Sequence, residues 1–88
     1  MKSANRSHMG RIAELPCSLC GALGPSQVHH LREGMGMAQR NSDWIVIPLC
    51  HDCHQGQDGI HGTRNLWNIY KKTELDCLAD TIRRITSD

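Results

Sequence analysis

The chain contains no Phe, and its aromatic side chains number three: Trp44, Trp67 and Tyr70. Aromatic rings bring the largest burial per residue, so a core must rest on Leu, Ile, Val and Met. No apolar run approaches the roughly 20 residues of a membrane-spanning helix. Residues 1–10 also lack the apolar stretch of a secretory signal. Export and membrane insertion are therefore not expected, and a cytoplasmic setting is. Nor is there an excess of either charge, with 10 Lys and Arg against 9 Asp and Glu, formally +1. That excludes a strongly basic chain that coats nucleic acid by its long-range field alone. Repeats and low-complexity segments are missing too. At 88 residues, 1–88 reads as one small domain.

Domains of this size often need a staple beyond apolar burial, and here 5 Cys and 6 His offer one. Cys17-Ser-Leu-Cys20 and Cys50-His-Asp-Cys53 are two C-x2-C pairs. The two-residue gap lets both sulfurs of a tight turn reach one ion, and two such pairs close a tetrahedral zinc site. Without an export signal, metal ligation is favoured over disulfides. Gly21 follows the first pair, where a knuckle commonly needs a positive φ. The 29 residues between the pairs exceed a simple zinc ribbon, so something is inserted. Four thiolates and one zinc would take the formal charge from +1 to −1, and one further divalent cation would restore it. Cys77, beside an apolar stripe, reads as a buried small hydrophobe.

Residues 1–7 are polar and expected to fray. A short helix is predicted over 9–15, ended by Pro16. A short strand is predicted over 25–31 and a stronger one over 43–49, with Pro48 at a sheet edge or strand end. Between them, 32–42 is a loop long enough to suggest function. After a glycine-rich turn, 56–62, Thr63 caps a helix over about 64–72. Thr73 caps a final helix, with Glu74 and Asp76 in its first turn. There Leu75, Leu78, Ala79, Ile82 and Ile85 form one apolar stripe, expected to face the core.

Five His fall within 33 residues, interleaved with the knuckles. Neighbours on a strand point to opposite faces. One of His29 and His30 can therefore ligate a metal while the other addresses a substrate. His54 and His61 lie where the chain must turn back past that strand, which suggests a second, open metal site. Arg32, Arg40 and Arg64 flank these histidines and are candidates to hold phosphates. Trp44 and Trp67 fit core packing better than base stacking.

Cys17-x2-Cys20, Val28-His29-His30 and Ile47-Pro48-Leu49-Cys50-x2-Cys53-His54 together resemble an HNH endonuclease over residues 17–61. More narrowly, the chain is similar to the Ref-type, RecA-dependent nuclease family of bacteriophages and prophages. That likeness rests on His8-Met9-Gly10-Arg11, His30-Leu31-Arg32-x-Gly34-x-Gly36, Ser42-Asp43 through His54, Gly59-Ile60-His61-Gly62 and Thr73-Glu74-Leu75-Asp76. The resemblance implies a small α+β fold. A zinc-stapled ββα-metal unit spans 17–61, flanked by N-terminal and C-terminal helices, the latter over 63–86. It implies His30 as general base and His29, His54 and His61 as ligands of a catalytic divalent ion, Mg²⁺, Mn²⁺ or another first-row metal. DNA is then the substrate, a RecA-type recombinase filament a partner, and a phage- or prophage-bearing bacterial cell the setting. Where that family carries its middle Asn stands Ile45, with Asn41 and Asp43 as the nearby polar alternatives. The rival class is a non-catalytic zinc module that binds DNA or protein. It would keep the four Cys and have no use for His29, His30 or His61.

Overall fold

The computed structural model describes residues 3–32, 34–36, 39–57, 59–62 and 65–87. Its elements are α1 (Ser3–Ala13), β1 (Gln27–His30), β2 (Val46–Leu49), α2 (His51–Gln55), α3 (Asn65–Tyr70) and α4 (Glu74–Thr86). This is a small α+β arrangement: one antiparallel two-stranded sheet with helices packed on it. Among the described residues no helix is long and apolar enough to cross a membrane.

The register pairs Gln27 with Leu49, Val28 with Pro48, His29 with Ile47 and His30 with Val46. Both strands are shorter than predicted. Residues 43–45 leave the second because Ile45 N–H donates to the Ser42 carbonyl and Trp44 N–H to Ser42 Oγ, which closes a turn. Pro48 sits inside the ladder. A two-stranded sheet has only edges, so its missing N–H costs nothing there. The Pro48 carbonyl instead accepts from Ser18 N–H in the first knuckle, at 2.9 Å.

Helix α1 begins at Ser3, so residues 3–7 are helical rather than frayed. Tertiary contacts hold its first turns. Asn5 Nδ2 donates to Asp43, Trp44 Nε1 donates to Asn5 Oδ1, and the His8 ring stacks on Trp44 with centroids 4.3 Å apart. Near its end Arg11 donates to the Ile85 carbonyl of α4. Trp44 is therefore a clamp on α1, 49 % exposed, and not the core residue expected. Trp67 is half-buried against the core, as expected.

Helix α3 lies inside the predicted 64–72 span, while its expected cap, Thr63, falls outside the described residues. Lys71, at φ 54, turns the chain into α4. Thr73 and Asp76 close a reciprocal capping box there. The inward face of α4 differs from the predicted stripe. Cys77 and Thr81 are buried, while Leu75 and Ile82 are 55 % and 49 % exposed and Ala79 is exposed. Thr81 can face inward because its hydroxyl donates to the Cys77 carbonyl. Leu78 and Ile85 remain half-buried. Cys77 is the buried hydrophobe expected, and burial raises its thiol to about 11.

The core gathers Leu19, Leu31, Ile47, Leu49, Cys17, Cys53 and Cys77, with Ile45, Ile60, Leu66, Trp67 and Leu78 packed around it. Two knuckle sulfurs are thus part of the core itself.

Candidate functional site

Cys17, Cys20, Cys50 and Cys53 bring their sulfurs within 4.8 Å of one another. Gly21 takes the left-handed φ of 79° that the first knuckle requires. Two sulfurs on one tetrahedral zinc lie roughly 3.8 Å apart when each bond is about 2.3 Å. The Cys20 and Cys50 sulfurs are 3.6 Å apart. Backbone N–H groups of Leu19 and Cys20 point at Cys17 Sγ, and that of Cys53 points at Cys50 Sγ. Burial alone raises the Cys17 thiol, but the N–H groups aimed at it outweigh burial and bring it to about 7. The four residues are positioned for a tetrahedral site and suit a structural zinc.

His29, His54 and His61 form a second cluster, again with ligand atoms within 4.8 Å. His29 comes from β1, where alternation sends it and Gln27 to the face that meets α2. His54 directly follows the knuckle residue Cys53 on α2. His61 arrives because the chain after α2 folds back onto it: Ile60 N–H donates to the Cys53 carbonyl and His61 N–H to the His54 carbonyl. This explains how a seven-residue gap still places the two imidazoles together. The turn's glycines serve close approach rather than positive φ. A Cβ on Gly59 would lie 2.8 Å from the Asp52 carbonyl oxygen and 2.9 Å from that of Cys53. Gly59→Ala is therefore expected to destabilise the zinc-loaded chain by about 1–3 kcal/mol through overpacking, measurable by urea denaturation.

The hydrogen bonds around the cluster set which ring nitrogens carry lone pairs. His29 Nε2–H donates to Glu74 Oε2 at 2.7 Å, leaving Nδ1 as acceptor. His54 Nδ1–H donates to Gln27 Oε1 at 2.8 Å, leaving Nε2 as acceptor. Those two acceptors face one another at 3.2 Å, and His61 Nε2 lies 2.9 Å from His54 Nε2. Facing lone pairs repel unless a proton or a cation sits between them. Two nitrogens on one tetrahedral ion lie roughly 3.3 Å apart for bonds of about 2.0–2.1 Å, so the spacing fits a shared cation. Burial, reinforced by neighbouring imidazoles, pushes His54 down to about 4. Burial also lowers His29, against the opposing pull of Glu74. Both shifts favour the neutral ring, the form that ligates a metal.

His30 stands apart from this cluster. Its Nε2 is 2.9 Å from Asp43 Oδ1, and the pair is mostly buried, at 18 % and 13 % side-chain exposure. The His30 hydrogen bond holds the Asp43 carboxyl below its usual range, helped by Asn5. Of the two polar alternatives near Ile45, Asp43 reaches His30, while Asn41 donates to the Leu31 carbonyl.

A cleft of about 330 Å³ opens beside the cluster, lined by His29, His61, Arg32, Trp67 and Glu74 among others. Arg32 braces the loop through the Gln39 and Gly36 carbonyls. Arg40 is 63 % exposed and pairs with Asp43. Arg64 lies outside the described residues. Sequence reasoning missed Glu74 and Gln27. Glu74 reads as an acidic first-turn residue, and Gln27 carries no motif; only the period-two alternation, which puts it on the His29 face, could have pointed to it. No protein-family model, curated protein or solved structure matches the chain.

Proposed function

We propose that this chain is a metal-dependent endonuclease that hydrolyses DNA phosphodiester bonds, built as an HNH-type ββα-metal unit from β1, β2 and α2. One observation carries the reading. Three imidazoles converge their ligand atoms, while the next residue on the strand, His30, is held separately by a carboxylate. A purely structural zinc module needs neither arrangement. His29, His54 and His61 would hold one divalent cation, which supplies Lewis-acid stabilisation of charge developing on the phosphate.

The chain's own groups do the rest. His30 donates Nε2–H to Asp43, which leaves Nδ1 to accept a proton from the attacking water. The carboxylate then stabilises the imidazolium that forms. Because His30 leaves the strand on the face opposite His29, it approaches the bound phosphate from another direction. Arg32 lies on the cleft wall, and the guanidinium N–H groups beyond the two that hold Gln39 and Gly36 would serve phosphate oxygens. The near-neutral charge offers little long-range attraction for DNA. Delivery of the substrate therefore falls to a partner, and the sequence resemblance points to a RecA-type filament.

The test is a plasmid-nicking assay with Mg²⁺, Mn²⁺ or EDTA, with and without RecA on single-stranded DNA. Cleavage is expected with Mg²⁺ or Mn²⁺, lost in EDTA while the structural zinc stays bound, and recovered on adding metal back. Cleavage undiminished in EDTA would remove the catalytic role of the histidine cluster. Failure under every condition, with zinc bound, would favour the non-catalytic module.

A further inference from the structure

Glu74 opens α4, yet it does not cap that helix, because the Thr73–Asp76 capping box already does so. Its carboxylate turns toward the sheet instead. One oxygen accepts from His29 Nε2–H at 2.7 Å, and Arg32 N–H lies 2.9 and 3.1 Å from the two oxygens. The side chain is 13 % exposed. A carboxylate this sheltered is costly unless paired and hydrogen-bonded, and these partners meet that need across 45 and 42 residues of sequence.

We propose that Glu74 is a positioning residue for the cation held by His29, His54 and His61, which makes α4 a working part of that centre. This rests on the metal reading given above. Accepting the Nε2 proton fixes His29 in the tautomer whose Nδ1 faces His54. The negative charge also makes Nδ1 a stronger donor, as outer carboxylates do for metal-bound histidines. The grip on Arg32 N–H fixes the backbone just after His30, so the same side chain steadies the segment that carries the base.

A bare tie between α4 and β1 would act on stability alone. The experiment titrates Mn²⁺ and Co²⁺ calorimetrically into the zinc-loaded full chain and its Glu74→Gln and Glu74→Ala variants. The His29 tautomer is read in parallel by ¹⁵N NMR of the ring. The wild-type chain is expected to bind one ion beyond the structural zinc and to show the Nε2–H tautomer. Glu74→Ala should weaken that ion by about 10- to 100-fold and mix the tautomers. Glu74→Gln, which keeps an acceptor without the charge, should fall between. Unchanged affinity and tautomer in both variants would reduce Glu74 to a structural tie and leave the metal reading standing. A wild-type chain that binds no second ion would overturn that reading and this inference with it. Should Glu74→Ala not fold, the Gln variant decides, through affinity measured at unchanged zinc content.

Discussion

His30→Ala is expected to lower metal-dependent DNA cleavage by about 10²- to 10⁴-fold, the usual cost of losing a general base, while the fold and bound zinc remain. The second half of the expectation follows from the neighbours. Removing the imidazole takes one partner from Asp43, but Asn5 Nδ2 still donates to that carboxylate and Arg40 still faces it. No buried charge is stranded, so the large penalty for an orphaned ion does not arise. His30 also lies outside the histidine cluster and the four-cysteine cluster. Cleavage rate, zinc content and melting temperature, measured on one preparation, separate chemistry from folding. Retention of more than about a tenth of wild-type activity would mean that another group activates the water.

Cys53→Ser is expected to leave the chain largely unfolded, and chelation of zinc from the wild type should do the same. Cys17 and Cys53 belong to the buried cluster, and the largest fully buried side chains are aliphatic, Ile12, Leu31, Ile47 and Leu49. A structural zinc contributes an apparent binding free energy of about 10–16 kcal/mol in small zinc domains. Whole domains are stable by about 5–15 kcal/mol, so an aliphatic core with Trp67 half-buried at its margin cannot absorb the loss. Circular dichroism should show neither native-like signal nor cooperative melting. A native-like spectrum in a zinc-free sample would show that apolar burial alone suffices.

The knuckles and the histidine cluster were legible because ligand chemistry writes itself as spacing: two C-x2-C pairs, and His54 locked to the second. Other features were legible only in part. The helical span 3–7 has no strong apolar period, and its order comes from Asn5 and His8 meeting the 43–44 turn, which no local pattern encodes. The face of α4 differs from the apolar stripe because hydrophobicity ranks Leu75 and Ile82 above Thr81, which is the residue that turns inward beside Cys77. A threonine that satisfies its own hydroxyl within the helix can nonetheless turn inward. Asp43 was visible as an alternative but indistinguishable from Asn41 until the turn at Ser42 set its direction. Glu74 was beyond reach, since nothing in a first-turn acid announces a histidine on a distant strand.

Adjacent histidines on a four-residue strand make sliding a chemical error as well as a packing one. A slip of one residue between β1 and β2 turns every side chain to the other face. It would offer His30 to the imidazole cluster and His29 to Asp43, exchanging the ligand and base of the proposed mechanism. Such a slip shifts the strand by about 3.3 Å, more than the length of a zinc–sulfur bond at about 2.3 Å. Cys50 directly follows β2, and Ser18 of the other knuckle is bonded to the Pro48 carbonyl. A zinc ion held by both knuckles would therefore act as a ratchet pawl on the hairpin, and on the proposed reading the roles of two neighbouring imidazoles would be kept by a metal that touches neither.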